Sequence, residues 1–369
     1  MPETNHKKDW DNYCEKEFSS AVPLLENLGY ILENEQPHIK GERYLMNALT
    51  SKSGKKLILL GKRKKDNQRV VIKITSDKGG AEELRHERDC RETLQKINFA
   101  YEVFHSPKEL LFSEISGYTI SIQEFIDQEK PFLKRPLKEQ FSLALKAFKA
   151  QESAHATTYE NRKKIAENFG LIDSIGYLET FDEFRENLIN TNKGNLELLL
   201  LIEKARKIIR DNLETIEQYC GFLTHIDFVP HNIRVKNNTI YLLDYSSLRF
   251  GNKYEDWARF LNFMVLYNKP LEEALLKYIA DNRTEEESLS LKMMRIYRLS
   301  EIIWYYTKTL SKSAGNLLIL NQKRVDFWTK VLQSIINDKP LDEKIIEEYK
   351  QSRDSLRDEE EKLRQIGLH

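Results

Sequence analysis

His225-Ile226-Asp227-Phe228-Val229-Pro230-His231-Asn232, followed by Tyr241-Leu242-Leu243-Asp244, is the stretch on which the reading of this chain turns. It sets an Asp, an Asn five residues on, and a second Asp at the end of a short apolar strand. Phosphoryl transfer asks for these groups. Asp227 is the candidate base, placed to orient a hydroxyl and take its proton. Asn232, through its amide oxygen, and Asp244 are the candidate ligands of Mg²⁺, a hard cation that takes few protein oxygens and completes its shell with phosphate and water. The competing reading is an accidental H-x-D in a turn, with Asn232 a turn residue and Asp244 a strand end. The three groups at this joint spacing favour the chemistry.

Working outward, Val70-Val71-Ile72-Lys73-Ile74 puts a lysine on an apolar strand, close to the V-A-I-K pattern of a nucleotide-binding strand. A buried cation needs an anionic partner, and a nucleotide phosphate together with a helix carboxylate would supply one for Lys73. The charged helix that follows offers Glu87 or Glu92, with Glu87 preferred. The alternative for Lys73 is an edge-strand residue in solvent. No G-x-G-x-x-G precedes Lys73. The turn Thr50-Ser51-Lys52-Ser53-Gly54 is the segment available to cover phosphates, and it also reads as a plain hairpin turn. Gln123-Glu124-Phe125-Ile126 lies where a lobe-connecting hinge belongs. There the Glu124 carbonyl and the Ile126 N–H are the candidate adenine contacts. Asp256 reads as an anchor for the catalytic loop or as an acid favoured by a helix N-terminus.

The 369 residues exceed one ordinary core and predict two lobes. Apolar residues are 40% and charged residues 31%, which fits a folded, soluble chain. Lys plus Arg equals Asp plus Glu at 58 each, so net charge gives no reason to expect nucleic acid. Cys14, Cys90 and Cys220 form no C-x-x-C pair, which argues against a zinc site or a disulfide framework and fits a reduced, cytoplasmic setting. No run is long enough to span a membrane.

Apolar spacing predicts a helix from Trp10 to Leu28, with Pro23 marking a bend or second start. Strands follow at Tyr44-Leu45-Met46, Lys56–Gly61 and Arg69–Thr75. Gly79-Gly80 closes that section before a helix over Ala81–Ile97. Strands at 109–113 and 118–126 come next, then helices at 141–155 and 181–219, the latter with a break at 192–195. A short hairpin at 233–243 carries the opening motif, and helices run to the C-terminus. The expected fold is therefore α+β and bilobal. Residues 1–43 form an N-terminal helical extension, 44–126 a β-rich nucleotide-binding lobe with one helix, and 127–369 a mainly helical lobe with the catalytic loop. Lys62-Arg63-Lys64-Lys65 reads as a solvated turn. The tail from Asp342 to Arg364 reads as a solvated helix packed on one side, or as a partner-binding helix.

With these residues in place, the chain resembles the aminoglycoside phosphotransferase and choline kinase superfamily, small-molecule kinases with a protein-kinase-like fold. The family loop H-G-D-L-H-P-G-N corresponds to His225-Ile-Asp-Phe-Val-Pro-His-Asn232, with Ile226 and His231 in place of glycines. The family's I-D-F or I-D-W corresponds to Leu243-Asp244-Tyr245, and its G-x-x-x-x-D-x-A to Gly251 through Asp256 to Ala258. Ala150 to Ala156 matches L-x-x-L-H-A loosely. The resemblance implies an ATP- or GTP-dependent, Mg²⁺-requiring phosphotransferase acting on a hydroxyl of a small molecule of the aminoglycoside, amino alcohol or sugar type, with neither nucleic acid nor membrane as partner. Val229 stands where Ser/Thr protein kinases carry a loop lysine. Only eleven residues separate Asp244 from Asp256, too few for a long activation segment. A nucleotide-binding pseudokinase or regulator of the same fold is the rival reading, and a protein kinase the weaker third. The acceptor helices carry Glu186, Glu197 and Glu203, which would meet a cationic substrate or simply face water.

Overall fold

Alternation along Arg69–Thr75 sends Val70, Ile72 and Ile74 to one face of a strand, where all three are fully buried, and leaves Lys73 on the other. The computed structural model describes residues 5–45, 54–97, 104–155, 159–192 and 194–368. Its N-terminal part runs α1 (Asn5–Asn27), β1 (Tyr30–Leu32), β2 (Leu57–Arg63), β3 (Arg69–Thr75), α2 (Lys78–Lys96), β4 (Glu109–Ile115) and β5 (Tyr118–Glu124). The five strands form one antiparallel sheet in the order β1-β2-β3-β5-β4. Trp10, Ala21 and Leu25 of α1 share a core with Leu57, Leu59, Ile72, Ile74 and Ile122. The outer face of the sheet is thus covered by α1, and the opposite face presents Lys73 toward α2.

Several expectations for this region change. Strand β1, at three residues, is too short to announce itself by alternation. Pro23 lies inside α1 without ending it, because burial of Ala21 and Leu25 on either side holds the helix against the sheet. Residues 43–45 are helical, not a strand, and Met46 lies outside the described residues. Tyr44 and Leu45 are buried all the same, and a short apolar run does not distinguish strand from helix. Gly79 and Gly80 do not close the β section but form the first turn of α2, capped by Asp77, which accepts from the Gly80 N–H at 2.9 Å. Their smallness serves a close approach. A Cβ on Gly54 would lie 1.5 Å from the Gly80 nitrogen.

The second lobe contains α3 (Leu137–Ser153), α4 (Tyr159–Asn168), α5 (Ser174–Thr191), α6 (Leu196–Arg210) and α7 (Leu213–Gln218). The helical stretch expected over 181–219 falls into three helices: the expected break lies between Thr191 and Leu196, and a second, unexpected one lies near Asp211. Four short strands follow, β6 (Phe222–His225), β7 (Ile233–Lys236), β8 (Thr239–Leu242) and β9 (Leu248–Gly251), paired as β6-β9 and β7-β8. The rest is α8 (Glu255–Tyr267), α9 (Lys269–Asn282), α10 (Glu285–Leu310), α11 (Gly315–Ile336), α12 (Glu343–Leu356) and α13 (Glu359–Leu368). Helix α10 packs on α11, α8 and α5, and Trp257 of α8 stacks on Phe148 of α3 at 3.9 Å. Cys90 and Ile97, at the far end of α2, belong to this second core, so α2 touches both lobes. No helix among the described residues is long and apolar enough to cross a membrane.

Candidate active site

Strand β6 ends in His225, which is fully buried and holds three pieces of backbone together. Its own N–H donates to Asp256 Oδ1 at 2.7 Å. Its Nδ1 accepts from the Asp227 N–H at 3.2 Å. Its Nε2 lies 3.0 Å from the Leu243 carbonyl and 3.1 Å from that of Asp244. Carbonyl oxygens only accept, so Nε2 carries the proton. His225 therefore ties the loop of the candidate base to the segment of the candidate metal ligand. Asp256, 1% exposed, takes the anchoring role expected of it. Burial pushes its carboxyl pKa well up, and its Oδ2 has no partner among the described residues.

Beyond His225 the loop turns through Phe228 and Val229, both buried, and a short 3₁₀ segment, Pro230–Asn232. Asn232 Nδ2 donates to the Asp227 carbonyl at 2.9 Å and to Asp227 Oδ2 at 3.0 Å. Its amide oxygen carries neither bond. The Leu243 N–H donates to the Asn232 carbonyl at 2.8 Å, which draws Asp244 toward Asn232. Asp244 itself sits at φ +59°, a left-handed conformation that short polar side chains tolerate best. The hydroxyls of Ser246 and Ser247 donate to its two oxygens at 2.7 Å each. Burial pushes its carboxyl up, but the charge of Lys73 and the bond from Ser246 outweigh this and hold it at about 2.

Lys73 Nζ meets both oxygens of Glu87, at 2.5 and 2.6 Å. The pair is largely buried, with 13% and 6% of the side chains exposed. Glu92 instead faces outward and pairs with Arg88 at 2.9 Å, so the preference for Glu87 matches the geometry. Helix α2 rests on the turn 245–247 that follows Asp244, which brings the Lys73–Glu87 pair toward Asp244.

At the sheet end, Glu124 closes β5 opposite Val70 and is doubly tied to Lys108: its N–H donates to the Lys108 carbonyl and its Oε1 accepts from the Lys108 N–H, each at 2.9 Å. The Phe125 N–H donates to the Arg69 carbonyl at 3.1 Å, and the Arg69 guanidinium lies 4.0 Å over the Phe125 ring. Ile126 is buried directly after. Residues 50–53 of the expected phosphate-covering turn lie outside the described residues, leaving only Gly54. Of the three acids expected to meet a cationic substrate, Glu203 is taken up by Arg185 at 2.6 Å.

Two arginines of the site escaped sequence reasoning. Arg259 places Nη2 at 2.7 Å and Nε at 3.1 Å from Asp227 Oδ1. Burial pushes the Asp227 carboxyl up, yet the charge and hydrogen bonds of Arg259 hold it below the usual carboxylate range. Its side chain is 44% exposed and open to an incoming group. The signal was present: Arg259 lies three residues after the anchor Asp256, on the same helix face. Arg298 donates to the Ile226 carbonyl and pairs with the fully buried Glu255 at 3.3 Å, while Arg249 holds Glu255 at 2.5 Å. The loop position where the family carries glycine is thus pinned from α10. Nothing in the local sequence points there.

No family model and no curated protein matches the sequence. Solved structures do. A thermostable mutant of aminoglycoside phosphotransferase APH(4)-Ia in its apo form superposes with a TM-score of 0.54 at 13% identity, over 78% of this chain and 94% of that one. ADP-bound aminoglycoside phosphotransferase APH(2'')-Ib gives 0.52 at 17% identity, over 79% and 97%. Macrolide 2'-phosphotransferase type I gives 0.54 at 13% identity, over 84% and 96%. At such identities the likeness is one of backbone architecture. The chain has the bilobal, protein-kinase-like fold of the aminoglycoside and macrolide phosphotransferases.

Proposed function

We propose that the protein transfers the γ-phosphoryl group of ATP or GTP to a hydroxyl of a small molecule of the aminoglycoside, amino alcohol or sugar type. The observation that carries this reading is the His225 bridge. One buried side chain fixes Asp227 on one side and Asp244 on the other, while Asn232 bonds Asp227 directly. In this reading Asp227 orients the acceptor hydroxyl and takes its proton, and Arg259 keeps the carboxylate ionised and aimed. Positioning matters more than base strength because the transition state is loose. Lys73, steadied by Glu87, meets the nucleotide phosphates. The Glu124 carbonyl and the Ile126 N–H meet the base.

Asn232 and Asp244 would hold Mg²⁺. The donors fit: an amide oxygen without a bond to Asp227, and a carboxylate ionised across the neutral range. Among the described residues no three His, Cys, Asp or Glu side chains gather into a metal cluster, and Mg²⁺ does not require one. When bound, the ion neutralises charge on the phosphates. The acceptor reads as small because β9 and its short turn fill the whole span from Asp244 to Asp256, leaving no platform for a peptide.

A thermal-shift panel of ATP, GTP and candidate acceptors, with and without Mg²⁺, tests the reading. The expected result is a nucleotide shift that needs Mg²⁺ and is lost in Asp244→Ala, with a further shift from one acceptor class. A panel in which no nucleotide stabilises the protein overturns it. Nucleotide binding with no phosphate acceptor across the panel favours the pseudokinase instead.

A further inference from the structure

Residues 42–45 meet α10, α11 and the C-terminal segment around a cavity of about 110 Å³, none of whose lining residues belongs to the proposed active site. A volume of this order corresponds to roughly three to four water molecules, or one phosphate-sized group. Three guanidinium groups line it, those of Arg324, Arg357 and Arg364, against two carboxylates, Glu42 and Glu361.

Both carboxylates are already satisfied. Glu42 takes Arg324 at 2.8 and 3.1 Å. Glu361, 1% exposed, takes Arg364 at 2.7 and 2.9 Å, Gln365 at 2.6 Å and the Glu42 N–H at 2.9 Å. The third cation, Arg357, has no carboxylate in ion-pair range among the described residues, and its Nε is buried without a hydrogen bond. The wall therefore keeps one uncompensated positive charge and a buried donor. Arg357 as a whole is half-buried, so the cost falls on its buried Nε donor, which a hydrogen-bonding anion would satisfy. The surrounding contacts are closely built. Gly41 sits at φ +62°, and a Cβ there would lie 2.6 Å from Glu361 Oε2, so α13 docks against bare backbone.

We propose that this cavity binds a small oxyanion, a phosphate group by size, with Arg357 as its main ligand and Arg324 and Arg364 completing the wall. A guanidinium matches a phosphate edge with paired donors, which an ammonium cannot do. Because one wall is the segment leading toward β2 and the others are C-terminal helices, an occupant fastens the N-terminal lobe to α10–α13.

The test is thermal shift of the full chain with inorganic phosphate as the probe and chloride at matched ionic strength as control. Each arm is run with and without saturating Mg²⁺ and ADP, for the wild type, Arg357→Gln and Arg357→Lys. The expected result is a saturable rise of about 2 °C or more with phosphate alone. It persists with ADP bound, weakens at least about tenfold in apparent affinity in Arg357→Gln, and is partly kept in Arg357→Lys. The melting temperature of each variant without ligand reports its folding. Comparing phosphate with glycerol 3-phosphate separates free phosphate from a phosphorylated metabolite: equal affinity points to the first and tighter ester binding to the second. Absence of a saturable shift, a shift untouched in Arg357→Gln, or one abolished by ADP overturns the proposal. If ADP produces no response of its own, the phosphotransferase reading is in difficulty, while the Arg357 dependence still decides this site.

Discussion

Glu87→Ala separates a working ion pair from a decorative one. Lys73 and Glu87 meet through both carboxylate oxygens at 2.5 and 2.6 Å with little exposure. Removing one member of a buried pair leaves the other charge uncompensated, at a cost of roughly 3–5 kcal/mol. Here the lower end applies, about 3 kcal/mol, because Lys73 keeps some solvent and the nearby Asp244 charge remains. Urea unfolding followed by circular dichroism, with the slope unchanged, reads this loss. Turnover should fall by about 100-fold as the lysine loses its aim, the scale seen when one preorganised charge contact is lost. The double variant Lys73→Met with Glu87→Leu sharpens the test. Replacing a buried pair by apolar groups of similar volume is commonly neutral or stabilising, so stability should return to within about 1 kcal/mol of the wild type. Activity should not return. A double variant that turns over nucleotide normally, or a Glu87→Ala protein that keeps full turnover, refutes the role given to this pair.

The neighbouring residues give further expectations. In Arg259→Leu, Asp227 loses the cation that holds its carboxyl down, so the acid limb of a kcat/KM–pH profile should move to higher pH; an unmoved limb removes Arg259 from the site. Asp244, with its pKa depressed to about 2, contributes stability that is present above its unfolded value near 4 and is lost as pH falls toward 2. Asp244→Asn should flatten acid denaturation in that window by about 2 kcal/mol, as measured by urea midpoints at stepped pH. Gly54→Ala drives a methyl into the Gly80 backbone and should cost about 2 kcal/mol or more; a melting temperature equal to the wild type would show that the two segments are not in contact.

Much of the candidate site was legible because it is local. His225, Asp227 and Asn232 lie within eight residues, and Asp244 follows the strand after them, so spacing alone put them at the end of β6 and the two ends of the β7-β8 hairpin. Lys73 was visible as a cation against the alternation of β3. The choice of Glu87 over Glu92 was narrower. Helical spacing put both on α2, and only its packing on the sheet buries one and exposes the other. What stayed hidden depends on long-range contacts. Arg298 reaches Ile226 across 72 residues, and α1 covers a sheet whose first strand is three residues long. The Ile226 departure looked like a loss of backbone freedom in the loop. In the folded chain the Ile226 N–H donates to the Ser247 carbonyl at 2.9 Å while its own carbonyl takes Arg298. Contacts from two other elements fix the conformation that a glycine permits.

The central claim is that Asp227, Asn232 and Asp244 act together on one phosphoryl group. It is tested most directly by following γ-labelled ATP with Mg²⁺ and a mixed panel of aminoglycosides, amino alcohols and sugars, in the wild type and Asp227→Ala. Label should pass into a dialysable small molecule in the wild type, and the rate should fall by about 10²–10⁴ in the variant, the range for loss of a positioned general base. Transfer that proceeds equally in Asp227→Ala, or label that appears only on protein, would contradict the account.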